Sequence, residues 1–135
     1  MCGKELVRLD THRVKQYSIL VVDYNDCCFA DIYSDGEVDI RFKAHSEVPK
    51  KHKKGGQSAA RFGRIRDSEI TKWFKRIDYY LKEVPPNIHL GISFVYQKRF
   101  LKTLSTENKD KITKITKTEY ADITGIYQYI NKMGV

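Results

Sequence analysis

Its 135 residues fit one domain around one core. A formal net charge of +8, from 25 Lys and Arg against 17 Asp and Glu, points to an anionic partner. No apolar run approaches the roughly 20 residues that a membrane-spanning helix needs, so nucleic acid is favoured over a membrane surface as that partner.

Residues 1–16 read as a polar, irregular lead-in without the apolar stretch of a secretory signal. Glu5 and Asp10 also set them apart from an acid-poor transit peptide. Residues 17–23 are β-branched and almost continuously apolar, which predicts a central strand covered on both faces. Residues 24–26 are a turn, and 27–33 alternate enough to form the next strand. Cys27 and Cys28 are adjacent, so on that strand one is expected buried and the other exposed. With Cys2 far away near the terminus they make no metal set, and a reduced cytosolic setting is the plain reading.

Ser34-Asp35-Gly36-Glu37 carries the Asp-Gly signal of a hairpin turn. Residues 38–43 set Val38, Ile40 and Phe42 against Asp39, Arg41 and Lys43, the alternation of an edge or half-exposed strand. An exposed loop at about 44–57 follows. A helix is predicted over 58–82, ending before Pro85-Pro86. Its wide apolar arc holds Phe62, Ile65, Ile70, Trp73, Phe74, Ile77, Tyr80, Leu81 and Val84, with Arg61, Arg64, Lys72, Lys75 and Lys82 opposite. Arg66 falls inside the apolar arc, where nothing in the sequence accounts for it. Trp73 and the helical tyrosines read as core, except Tyr79, which is expected to be exposed.

Residues 88–95 predict another apolar strand in which Gly91 admits close backbone packing. A short helix over 96–104 and a polar connection over 105–110 come next. Residues 111–118 read as the last strand, with lysines that suit an edge. A terminal helix over 119–133, interrupted near Gly125, is expected to bury Ile123, Ile126, Tyr127 and Ile130. About five strands and three helices in this order predict a three-layer α/β domain with a mixed sheet flanked by helices. The domain is taken as 17–135.

The chemistry concentrates in the loop. Gly55 and Gly56 open backbone geometries that other residues reach only with strain. Lys50, Lys51, Lys53, Lys54, Arg61 and Arg64 surround them, and a flexible tip on a cationic stem is suited to entering a phosphate-rich site. Gln57 offers both a donor and an acceptor at the tip. His52 interrupts the lysines with no carboxylate nearby in sequence to orient it, so a solvated loop histidine is the better reading than a general base.

Gly55-Gly56-Gln57, set within Pro-Lys-Lys-His-x-x-Gly-Gly-Gln-Ser-Ala-x-Arg-Phe-x-Arg, resembles the middle domain of the eukaryotic and archaeal class-1 peptide-chain release factors. The likeness extends more faintly to residues 17–23 and 89–92 and so covers most of the chain. Lys53-Lys54 stand where that family usually has Gly-Arg, and Gly63 replaces a common Ala, weakening the helix by roughly 0.5–1 kcal/mol. Residues 2–6 faintly resemble the end of the family's preceding codon-reading domain, which would make Met1 a cut point or an added start.

The resemblance implies a mixed sheet with an RNase H-like motif. It also implies translation termination in the cytoplasm, by ribosome-dependent hydrolysis of the peptidyl-tRNA ester rather than by a free-standing enzyme. Gly55, Gly56 and Gln57 would then act at the ester, and Gln57 would be a candidate for side-chain methylation by a glutamine methyltransferase. Lys50, Lys51, His52, Lys53, Lys54, Arg61 and Arg64 would contact RNA. The implied partners are rRNA of the large ribosomal subunit, P-site peptidyl-tRNA and a class-2 release-factor GTPase. No cofactor or metal is expected, and the chain is expected to be a monomer. The alternatives are a stand-alone, codon-independent ribosome rescue factor and a basic RNA-binding module without a hydrolytic role. A nuclease built on Asp23, Asp26, Asp31 and Asp35 is a further rival. It is disfavoured because Asp26 and Asp35 sit in turn contexts and no downstream acid is clearly placed.

Overall fold

The computed structural model describes residues 14–48 and 57–133, with backbone alone over 57–63. Strands β1 (Lys15–Val22), β2 (Asp26–Tyr33) and β3 (Val38–His45) form an antiparallel meander. The hairpin between β2 and β3 turns at Gly36, whose φ of +85° suits glycine, and the Tyr33 N–H donates to Glu37 O at 3.0 Å. The long helix α1 (Gln57–Tyr80) then returns the chain to β4 (Ile88–Ile92), which lies parallel to β1. After β4 come α2 (Phe94–Thr103), α3 (Thr106–Lys111), β5 (Ile112–Thr116) and α4 (Ile123–Lys132). The sheet order is β3-β2-β1-β4-β5, so the three middle strands are flanked by β3 and β5 as edges.

The result is three layers, as the element order predicts. Leu20, Val22, Cys27, Phe29, Ile88, Leu90 and Ile92 face one way and meet Ile70, Trp73, Phe74, Ile77 and Phe100 from α1 and α2. Ile19, Val21, Cys28, Ala30 and Ile32 face the other way and meet Ile126 and Tyr129 of α4. A strand covered on both sides needs apolar residues at every position, which is why β1 reads as a continuous run. Gly91 packs as expected: a Cβ there would fall 2.7 Å from Thr118 Cγ2 and 2.9 Å from Val21 Cγ1.

Several expectations are corrected. Cys27 and Cys28 do point to opposite faces, but both are buried, because each face has its own helical cover. The strand predicted to run on through Val95 stops at Ile92, since the Ser93 hydroxyl caps α2 by accepting the Val95 N–H at 3.3 Å. Residues 106–111 form a helix rather than a polar connection, held by tertiary bonds: Asp78 accepts from the Ser105 and Asn108 side chains at 3.2 and 2.7 Å. Lys111 is buried rather than at an edge, and its ammonium caps the end of α1 by donating to Leu81 O at 2.7 Å and Lys82 O at 3.2 Å. The terminal helix starts only at Ile123, with Asp122 as its cap, and turns Tyr129 inward while Ile123 and Tyr127 are exposed. Ile65 is likewise exposed, because the first turns of α1 extend past the core. Trp73 is buried and Tyr79 exposed, as the helical spacing predicts.

Candidate functional site

The described chain on either side of the basic loop forms its root. On the incoming side Ser46 and Val48 are buried, although β3 has already ended. The Ser46 N–H donates to Asn25 O at 2.8 Å, and its hydroxyl donates to Tyr24 O at 2.7 Å. Val48 joins the core under α1. On the outgoing side the chain resumes as α1 at Gln57. Residues 49–56, which include Lys50, Lys51, His52, Lys53, Lys54, Gly55 and Gly56, lie outside the described residues. Arg61 lies within α1, and Arg64 is exposed on it.

α1 is tied to the β1–β2 turn beneath this root. Trp73 donates its indole N–H to Asp23 O at 2.8 Å, while Asp23 Oδ1 accepts the N–H groups of Asn25 and Asp26, both at 2.7 Å. Burial raises the Asp23 pKa above the usual carboxylate range against the pull of those two donors. Arg76 stacks 4.7 Å from the Trp73 ring and donates to His45 O at 2.8 Å, joining the end of β3 to the helix. Arg66 now has an account: its guanidinium lies 4.7 Å from the Tyr24 ring and donates to the Tyr96 hydroxyl at 3.4 Å. A cation inside an apolar helical arc is the signal for such aromatic partners. Ser46 and Arg76 gave no comparable sign in the sequence.

The acidic side chains of the rival nuclease reading are each engaged locally. Asp23 holds its turn, and Asp35 Oδ1 accepts the Glu37 N–H at 2.9 Å in the hairpin. Asp26 pairs with His45 Nδ1 at 2.7 Å. Asp31 accepts from Ser18 Oγ at 2.7 Å and lies 3.4 Å from Lys15 Nζ. Asp26 and Asp31 are five residues apart on one extended strand, about 16 Å by the strand rise, so the set does not converge on one ion. Beside the Asp26–His45 pair, burial pushes the Cys27 thiol up to about 12, which keeps it protonated and poorly nucleophilic at neutral pH. Among the described residues no group of three or more His, Cys, Asp or Glu side chains is placed to hold a metal ion.

The family model described as eRF1 domain 2 matches residues 16–135. The chain is 32% identical over 124 residues to peptide chain release factor subunit 1 of Methanobrevibacter smithii, covering 86% of this chain and 30% of that protein. It is 27% identical over 131 residues to eukaryotic peptide chain release factor subunit 1 of Dictyostelium discoideum, covering 89% of this chain and 29% of that one. The chain thus spans under a third of the length of these relatives. Among solved structures, the archaeal translation termination factor aRF1 matches with a TM-score of 0.64 at 11% identity, over 91% of this chain and 34% of that one. The Thermoplasma acidophilum Pelota protein matches at 0.58 and 14% identity, over 85% and 31% respectively. At these identities the structural likeness shows the fold.

Proposed function

The chain belongs to the eRF1 domain 2 family, and from that premise we propose that it acts in translation termination, promoting hydrolysis of the peptidyl-tRNA ester on the ribosome. The loop at about residues 44–57 enters the peptidyl-transferase centre of the large subunit and carries Gly55, Gly56 and Gln57 to the ester. Water adds to the ester carbonyl carbon, the bond to the ribose 3′ oxygen breaks, and that oxygen leaves and takes up a proton. The Gln57 backbone N–H donates to the departing oxygen as negative charge builds on it. The Gln57 side chain shapes a space that admits water, and glycine at 55 and 56 allows the backbone to approach without a β-carbon in the way.

The observation that carries this reading is the position of Gln57 as the first residue of α1. The N–H groups of a helix's first turn have no acceptor within the helix, and the positive end of the helix dipole favours negative charge there. A donor at the opening of α1 has no acceptor within the helix and can be offered to a reacting oxygen. The bonds of Ser46, Trp73 and Arg76, which tie the end of β3 and α1 to the β1–β2 turn, support this reading. Lys50, Lys51, His52, Lys53, Lys54, Arg61 and Arg64 hold the loop against rRNA and the P-site peptidyl-tRNA. Gln57 is the substrate of a glutamine methyltransferase, and a class-2 release-factor GTPase is the expected accessory.

The test is peptide release from ribosomes carrying labelled peptidyl-tRNA, with wild-type chain, Gly56→Ala and a Gln57 variant. Removing a preorganised donor of this kind lowers the rate by on the order of 10²–10³, and Gly56→Ala is expected to fall in that range with its fold intact. Equal release by wild type and Gly56→Ala would leave a basic RNA-binding module as the better reading.

A further inference from the structure

The solvent side of α1 carries a second pattern that the loop does not explain. Positions 64, 68, 72, 75, 79 and 82 recur three or four residues apart and hold Arg64, Ser68, Lys72, Lys75, Tyr79 and Lys82, with no acid among them. All six are exposed, and Lys82, just past the end of the helix, places its ammonium 5.7 Å from the Tyr79 ring. Two of the helix's own carboxylates are turned towards neighbouring elements and a third flanks the stripe. Asp67 bonds Arg99 of α2 at 3.3 Å and Asp78 holds Ser105 and Asn108, while Glu69 pairs with Lys72 of the stripe at 3.2 Å, which leaves Arg64, Lys75 and Lys82 as its cations without an ion pair among the described residues.

Alongside, α2 runs against α1 through Phe100 on Phe74, at 5.1 Å between ring centroids, and it exposes Lys98 and Lys102. Among the described residues, Arg64, Lys75, Lys98 and Lys102 have no ion-pair partner. A helix rises about 1.5 Å per residue, so the steps along this face are about 4.5–6 Å. That is a ladder of separate positive charges suited to a row of phosphates rather than to a single anion.

We infer that the solvent face of α1, together with the exposed lysines of α2, is a track for the sugar-phosphate backbone of RNA, continuing down the body of the domain the contact begun at the loop. That the RNA is ribosomal rests on the proposed function; that the ligand is a polyphosphate strand rests on the acid-free stripe. Tyr79 adds an exposed aromatic face to the track, fit to stack on an unpaired base.

The experiment measures binding of the chain to protein-free RNA from the large ribosomal subunit across a salt series. It compares wild type, the Lys75→Gln/Lys82→Gln double variant and Gly56→Ala. Both lysines are exposed, and matching circular dichroism and Tm confirm an unchanged fold. Each lost phosphate contact lowers the slope of log K against log salt by about 0.7–0.9, so the double variant is expected to show a slope shallower by about 1.4–1.8. Gly56→Ala is expected to keep the wild-type slope while failing in peptide release. An unchanged slope in the double variant overturns the track. So does a loss seen with intact subunits but not with protein-free RNA, which would assign the stripe to an acidic protein surface. Normal release by Gly56→Ala would instead overturn the role of the loop, and the slopes would still decide the track on their own.

Discussion

The two faces of the sheet are built to different standards. Towards α1 and α2 the strands present Leu20, Val22, Phe29, Ile88, Leu90 and Ile92, and the helices answer with Ile70, Trp73, Phe74, Ile77 and Phe100. Towards α4 the same β4 strand presents His89 and Gly91, and among the described residues one ten-residue helix covers the face with Ile126 and Tyr129. There the contacts are polar or close: His89 Nδ1 lies 3.1 Å from the Tyr129 hydroxyl, and the Tyr17 ring lies tilted against His89 with centroids 4.5 Å apart. The heavier face is the one that anchors the loop root through Val48, Trp73 and Arg76. The larger apolar cluster lies where the loop leaves, and among the described residues the α4 side closes the domain with fewer apolar groups.

Phe74→Ala should break this contrast most forcefully. Phe74 is fully buried and packs on both Phe100 and Tyr96, so its truncation is expected to cost about 3–5 kcal/mol in denaturant unfolding. Gly125→Ala attacks the thinner face. A Cβ at Gly125 would come 1.9 Å from the Tyr120 carbonyl oxygen, and backbone must shift to admit it. Overpacking of this kind is expected to cost about 1–3 kcal/mol, with peptide release at permissive temperature kept, because neither Gly125 nor Tyr120 takes part in the bonds of Ser46, Trp73 and Arg76 at the loop root. A Gly125→Ala variant as damaging as Phe74→Ala would erase the distinction between the faces.

The smallest expected effect is a pH dependence confined to the α4 side. Burial, reinforced by nearby Lys114, holds the His89 pKa below its ordinary value of 6.5. As pH falls below about 6.5 the unfolded chain takes up a proton that the folded chain refuses. The stability associated with neutral His89 is thus complete above that value and is lost progressively as pH drops towards the lowered folded value. Between pH 7.5 and 5.5 the wild-type Tm should fall further than that of His89→Gln. Equal falls in the two proteins would show that His89 does not sense pH in this way.

Much of this architecture is legible in the sequence, for reasons that differ by element. β1 and α1 are readable because burial dictates their composition: one is apolar on both sides, the other on a single arc. α4 misleads because Ile-Thr-Gly-Ile-Tyr-Gln-Tyr-Ile has large apolar or aromatic groups in several directions. Its phase is set by the close approach of Gly125 to Tyr120 and by the Tyr129–His89 contact, both long-range or local-loop effects outside the helical period. The α3 helix is hidden because it is polar throughout, and its support comes from Asp78, roughly thirty residues earlier in the chain. The loop motif itself stands out in the sequence through its glycines and lysines. The root beneath it does not, since Ser46 and Arg76 act through backbone carbonyls that no residue pattern advertises.

The central claim, that this root delivers residues 55–57 to the peptidyl-transferase centre, is tested most directly by chemical footprinting of large-subunit rRNA with and without the chain. Protection of nucleotides lining that centre, weakened in a variant with Lys50, Lys51, Lys53 and Lys54 changed to Gln, is the predicted result. Protection confined to other regions of the subunit, with the centre as reactive as in free ribosomes, would contradict it.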